Sequence, residues 1–403
     1  MLNWTGVRRG EALHITRDDV PAEMRRAPRG HLARPAASRL DWRLYLVPCA
    51  VFILGRVLLL ILAAAGPRIL ASPHRSVVLL PHGDPLAAIQ SWAGPWFRFD
   101  AGWYVGIAQH GYHWGALGLA NTNFFPLYPL LIRLIQPLAL NSPWLAAWLV
   151  TNLASLAALL LLWRWALLRW NAEVGLRVLL LVTAFPFAFF YAAPYAEALF
   201  VALAIAAFLF AEQDRWVLAA CAAGASGMAR PVGVAVILAL AVLALTRRSP
   251  RRVLLACAAA IPFCAFVAYL WIAFGHPLAF LTYHSAGWVP AHGGIMTTVA
   301  SQFHTHLSPL DRLDAFLALA FLASALPVWR RLGPAYAVYV VVGVLLPLAH
   351  GLVSMERYVI VLFPAMAVWA TWKSKLVQAG LFSLSVLLLV AATMMFASGY
   401  ALF

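Results

Sequence analysis

Long apolar segments follow one another from residue 45 almost to the end of the chain, and they constrain it most. In lipid every amide and carbonyl of such a segment has to be paired within the protein, which only helices and closed barrels achieve. Barrel strands alternate apolar and polar residues over about ten positions. These segments do not alternate, so they read as membrane helices, each crossing needing about 20 residues. Composition agrees: 64% of the 403 residues are hydrophobic, with only 29 Lys plus Arg and 14 Asp plus Glu. An ordinary soluble domain is roughly 25% charged. A soluble enzyme, a disordered chain and a disulfide scaffold are excluded.

The net charge of +15 does not point to nucleic acid. Most arginines flank apolar segments, the placement that retention of positive loops in the cytoplasm produces. The partners this implies are membrane lipids. Arginine far outnumbers lysine and alanine is abundant, which points to a GC-rich bacterium and a multi-pass protein of its plasma (inner) membrane. Cys49, Cys221, Cys257 and Cys264 all lie in apolar runs without ligand spacing and read as small core residues.

Residues 1–43 are polar and Arg-rich, too long for the charged region of a signal peptide, and read as a cytoplasmic tail. Residues 44–403 form one all-α membrane domain of about 11 transmembrane helices. The expected spans are 45–65, 143–163, 178–193, 196–211, 253–274, 315–329, 333–349, 358–372 and 377–398. Between 216 and 246 two half-length helices meet near Arg230-Pro231, because a single helix would place Arg247, Arg248, Arg251 and Arg252 outside. Residues 66–142 form a large first extracytoplasmic loop with interfacial helices, and residues 275–314 a second. The N-terminus is expected in the cytoplasm and the C-terminus outside.

Charges inside apolar segments are costly and mark function by default. They are Arg56, Glu197 and Arg230, with Asp100, Asp311, Asp314, Glu356 and Arg357 at boundaries. Nearly all fall in the external half of this topology, so an outward-facing polar cavity is expected. The first motif is Arg98-Phe99-Asp100-Ala101-Gly102-Trp103-Tyr104. As a helix it puts Asp100, Trp103, Tyr104 and Ile107 on one side. A carboxylate beside flat aromatic faces suits a sugar ring, and Asp100 could equally be a simple N-cap. The second, Phe124-Phe125-Pro126-Leu127-Tyr128-Pro129, enters a helix through two prolines or merely anchors aromatics at the interface. The third runs from Phe185-Pro186 to Ala193-Pro194-Tyr195-Ala196-Glu197. There Glu197 opens a helix and could serve as a structural acid. Arg230 and Arg357 could be snorkelling cations. His276, His284, His292, His304 and His306 share the second loop, yet no acid or Cys stands at a zinc-motif spacing, so no metal site is expected.

Together, in this order, these segments resemble the PIG-V family, the mannosyltransferase II of glycosylphosphatidylinositol synthesis, within the GT-C class of membrane glycosyltransferases. Ala229-Arg230-Pro231-Val232-Gly233 and the stretch from Arg357-Tyr358 to Phe363-Pro364 extend the likeness, which spans residues 98–364. The family usually has Trp where Phe99 stands, and an acid where His276 stands. The resemblance implies transfer of a sugar, usually mannose, from a polyprenyl-phosphate carrier to a glycolipid or protein acceptor on the external face, with no further cofactor. It implies Asp100 as the catalytic base and Arg357 and Arg230 on the donor phosphate. Arg98, Trp103, Tyr104, Tyr128 and Glu197 would bind substrate. Two other readings stay open: a transporter or flippase for lipids or lipid-linked sugars, and a non-catalytic envelope scaffold.

Overall fold

The computed structural model describes residues 45–71, 80–114, 120–281, 309–349, 352 and 354–402. The tail expected at 1–43 and His284, His292, His304 and His306 lie outside the described residues. Among the described residues the chain is helical, without strands.

Five helices are long and apolar enough to cross a membrane. They are α1 (Leu46–Ile69), α5 (Pro143–Leu167), the consecutive α10 (Pro250–Ala258) and α11 (Ile261–Phe274), α12 (Pro309–Leu332) and α16 (Lys375–Ala397). Leu54, Ile272 and Leu376 on three of them are 70%, 85% and 83% exposed. Leaving such side chains in water would forfeit roughly 1.5–3 kcal/mol each, whereas lipid tails accommodate them at no such cost. The chain is thus consistent with a multi-pass membrane protein.

The remaining apolar stretches are shorter or broken. α6 (Ala172–Ala184) stops at Phe185, ahead of Pro186, and a single 3-10 turn over Ala188–Tyr191 precedes α7 (Glu197–Glu212). The stretch 216–246 is two helices, as expected: α8 (Trp216–Ala229) and α9 (Gly233–Thr246). The last part of the chain holds α13 (Pro334–Leu348), then a five-residue α14 (Met355–Val359) and α15 (Phe363–Trp369) in place of one continuous span. Pro231 and Pro364 fall at two of these breaks, where a ring without an N–H cannot continue the ladder. The first-loop region carries α2 (Gln90–Ala93), α3 (Asp100–His110) and α4 (Leu127–Ile135), all too short to span.

Helix starts are set locally. Ser142, Asn171 and Ser374 each accept an amide three residues on, from Leu145, Val174 and Val377, which satisfies donors a helix N-terminus leaves unpaired. Around the central helix α7 pack α5 and α8, while α13 lies against α12 and α9. Buried hydroxyls tie the broken segments in: Tyr339 donates to the Val361 carbonyl at 2.9 Å and Tyr191 to the Ile360 carbonyl at 2.5 Å.

Gly233 sets how tightly α9 folds back on α8. A β-carbon there would stand 2.4 Å from the Ser226 carbonyl oxygen and 2.5 Å from the Gly227 Cα. Both obstacles are backbone, so neither can turn aside. Gly233→Ala is expected to cost about 1–3 kcal/mol by overpacking, read as a lowered unfolding temperature in detergent. An unchanged melt would mean the α8–α9 turn is looser than described.

Candidate functional site

Four of the charges singled out in the sequence come together at the breaks. Glu197 is the first residue of α7, Arg230 follows the last residue of α8 in an extended conformation, Arg357 lies in α14, and Asp100 begins α3. Glu197 is fully buried and a single oxygen, Oε1, takes three guanidinium nitrogens: Arg357 Nε at 2.8 Å, Arg357 Nη2 at 2.7 Å and Arg230 Nη1 at 2.9 Å. The other arm of Arg357 reaches outward, with Nη1 2.5 Å from Asp100 Oδ2. Arg230 Nη1 also lies 3.5 Å from the Arg357 carbonyl. Two cations and two anions therefore balance in one network. Ion pairs this deep hold only with dense hydrogen bonding, because stripping water from each ion costs several kcal/mol.

Aromatic rings line the network. The Arg357 guanidinium carbon lies 4.9 Å from the Tyr195 ring centre and 5.3 Å from that of Phe190, and Arg230 lies 4.9 Å from Tyr358. Such faces attract a cation, more so where water is excluded. Both belong to the third sequence motif, which gives neither of them a role of its own: there Glu197 is the residue weighed, and nothing local to the motif says that these rings would face a guanidinium.

Asp100 does not do the job of a simple cap. The residue ahead of the helix is Phe99, and no side chain accepts an amide there. Phe99 instead takes φ 53° and ψ −113°, a conformation that residues with a β-carbon rarely hold and that costs about 1–3 kcal/mol. Tyr195 clamps the bend, its hydroxyl donating to the Arg98 carbonyl at 2.9 Å and accepting from the Asp100 amide at 3.3 Å. The strained turn and the clamp aim the Asp100 carboxylate at Arg357. Oδ2 is thereby engaged while Oδ1 has no hydrogen bond among the described residues, and the side chain keeps 17% of its surface exposed.

The three motifs also converge through their aromatics. Trp103 stacks on Phe124 with ring centres 6.0 Å apart, and Tyr104 meets Phe124 and Tyr128 edge to face at 5.0 and 4.9 Å. Trp103 stays partly exposed and Tyr104 is nearly buried. Tyr128 departs from the expectation that it meets substrate. It is fully buried, and its hydroxyl is used by the Ala147 carbonyl at 2.9 Å and Thr151 Oγ1 at 2.7 Å. The dense packing of α4 on α5 turns it into a support behind Tyr104. Arg98 is buried beside the clamp with 4% exposure, and its backbone carbonyl is what the Tyr195 hydroxyl holds. Glu356, next to Arg357, stays out of the network; burial, then the charge of Asp314, pushes its carboxyl well above the usual carboxylate range. His276 lies with its ring 5.1 Å from that of Trp114. No group of three His, Cys, Asp or Glu side chains suited to a metal occurs among the described residues.

The two acids of the network are expected to differ sharply when neutralised. Glu197→Gln leaves two buried guanidinium groups sharing Asp100 alone and is expected to cost about 3–5 kcal/mol. Asp100→Asn leaves Arg357 its contacts to Glu197 and removes only the half-open end. Thermal unfolding of both variants in one detergent checks this; equal melting temperatures would sink Glu197 as the anchor. No family model and no curated protein matches this chain.

Proposed function

We propose that this chain is a membrane glycosyltransferase of the GT-C kind, moving a sugar from a polyprenyl-phosphate carrier to an acceptor hydroxyl on the external side of a bacterial plasma membrane. Mannose is the first candidate sugar, by the resemblance to the PIG-V family. On this reading the broken helices complete a bundle of about 11 crossings, and the network faces outward.

One observation carries the proposal: the Asp100 carboxylate has one oxygen anchored by Arg357 and the other without a hydrogen bond among the described residues, on a side chain 17% exposed and one helical turn from the partly exposed Trp103. A general base needs both properties, fixed direction and a lone pair within reach of a proton. The acceptor oxygen would form its bond to the sugar's anomeric carbon while its proton passes to Asp100. The bond from that carbon to the phosphate oxygen breaks, and its electron pair leaves with the carrier. The carrier phosphate changes from a singly charged diester to a doubly charged monoester.

The ion network supplies a reason for Arg357. When Asp100 takes the proton it stops being the counter-ion of Arg357. A positive charge is thus released at the moment the leaving phosphate gains a negative one, the timing that transition-state stabilisation requires. Arg230 keeps Glu197 occupied and so holds Arg357 in place. Metal ions enter no step of this account.

Purified protein supplied with radiolabelled polyprenyl-phosphomannose is expected to release polyprenyl phosphate and pass label to an acceptor. Asp100→Asn should slow release about 10²–10⁴-fold, the usual contribution of a positioned base, with an unfolding temperature close to that of the unaltered protein. Absence of turnover across a panel of lipid-linked sugars, with the carrier still crossing liposomes, would replace the transferase by a flippase.

A further inference from the structure

Arg56 is the one intramembrane charge noted in the sequence that the network does not absorb. It lies ten residues into α1 from Leu46, a depth of about 15 Å at the helical rise. Its Nε donates to Asn152 Oδ1 at 2.8 Å, and its Nη2 to Ser155 Oγ at 2.5 Å and to the Tyr191 carbonyl at 2.6 Å. All three acceptors are neutral. Arg357 and Arg230 are matched by Asp100 and Glu197, but the charge of Arg56 is matched by no carboxylate among the described residues. Nη1 makes no hydrogen bond among the described residues and is not sealed off. An arginine at the centre of a helix costs about 2.5–3.5 kcal/mol on insertion scales, and tethering α1 to α5 would need only a neutral amide.

Around Arg56 lies a groove of about 240 Å³ between α1, α5, α6 and α16, lined almost wholly by apolar side chains such as Leu58, Leu162, Val386 and Leu389. Its wall includes Ala188 and Tyr191, the two ends of the turn whose third residue, Phe190, has its ring 5.3 Å from the Arg357 guanidinium. The groove therefore reaches the back of the network. Its depth also matches: Asn152 and Ser155 hold Arg56, while Thr151, on the same helix, hydrogen-bonds the Tyr195 carbonyl at 3.5 Å. An apolar slot with one unneutralised cation at its inner end complements a lipid with one long chain and a small anionic head.

We infer that this groove is a docking site for a polyprenyl phosphate, with the apolar chain in the slot and the phosphate on Arg56, approached sideways from the bilayer. The inference rests on the transferase reading for the choice of carrier. A two-chain phospholipid fits less well, since the slot beside Arg56 is a single narrow groove of about 240 Å³. Tyr191 lines the groove and its chain neighbour Phe190 lies 5.3 Å from the Arg357 guanidinium, so the site holds the carrier beside the reacting centre, as donor before transfer or as spent phosphate after it.

Two substitutions separate charge from shape. Arg56→Gln removes the charge and keeps donors for Asn152 and Ser155. Gly55→Leu narrows the groove from α1, and its β-carbon would meet nothing within 4 Å. Binding of a fluorescent polyprenyl phosphate to purified protein is the readout, with the uncharged polyprenol of equal length and an anionic phospholipid as competitors. The unaltered protein should prefer the phosphate lipid, and Arg56→Gln should weaken it about tenfold or more, the worth of a charge-assisted hydrogen bond. Arg56→Lys should retain much of the affinity, and Gly55→Leu should lose phosphate lipid and polyprenol alike. The inference is overturned if Arg56→Gln binds as the unaltered protein does, if Arg56→Lys loses as much as Arg56→Gln, or if anionic phospholipid competes equally well. Arg56-dependent binding without any sugar transfer would refute the transferase and leave the groove standing; transfer with binding indifferent to Arg56 would do the reverse.

Discussion

One oxygen of Glu197 drawn close to three guanidinium nitrogens of two arginines is the contact on which the centre of this molecule depends. It draws Arg230, at the end of α8, and Arg357, in the short α14, onto the first residue of α7. Three breaks in apolar helices are thereby stitched at one level. Each break leaves unpaired backbone groups, which is tolerable in a membrane only where protein or a polar cavity receives them. The ion network and the broken helices account for one another: the charges need partners away from lipid, and the breaks need polar company.

Asp100 differs from Glu197 in kind. Glu197 is sealed and shared between two arginines, so its charge belongs to the structure. Asp100 is attached by one oxygen, sits at the rim and is aimed by a strained Phe99 that the Tyr195 hydroxyl holds from two sides. Strain of this sort persists only where surrounding contacts over-determine it, and here it is spent on the direction of a single carboxylate. Two acids of the same chemistry thus take different parts because one lies inside the bundle and one at its edge. Arg56 extends the contrast, a half-buried guanidinium that no acid joins among the described residues, lining the apolar groove.

The helical class and the membrane were legible in the sequence because they follow from lack of charge and from run length, which are local properties. The α8–α9 break at Arg230-Pro231 was legible too, since on the expected topology a straight helix there would put Arg247, Arg248, Arg251 and Arg252 outside, against the positive-inside pattern. Segment lengths were less so: the stretch 358–372 reads as one apolar run, yet the chain divides at 360–362 because Tyr191 and Tyr339 claim the Ile360 and Val361 carbonyls. Tyr128 shows the same limit, an aromatic well placed for substrate by its motif and fully enclosed by packing.

By itself the sequence determined an all-helical chain with helices long and apolar enough to cross a membrane, and a handful of charges that would be too costly to leave facing lipid there. Which charge meets which was decided only by the tertiary structure. Asp100 and Arg357 are 257 positions apart, and no periodicity reaches that far. The clamp on Phe99, the enclosure of Tyr128 and the neutral partners of Arg56 are likewise facts of packing. They depend on which helix ends arrive at the same depth, and that is fixed when the bundle closes.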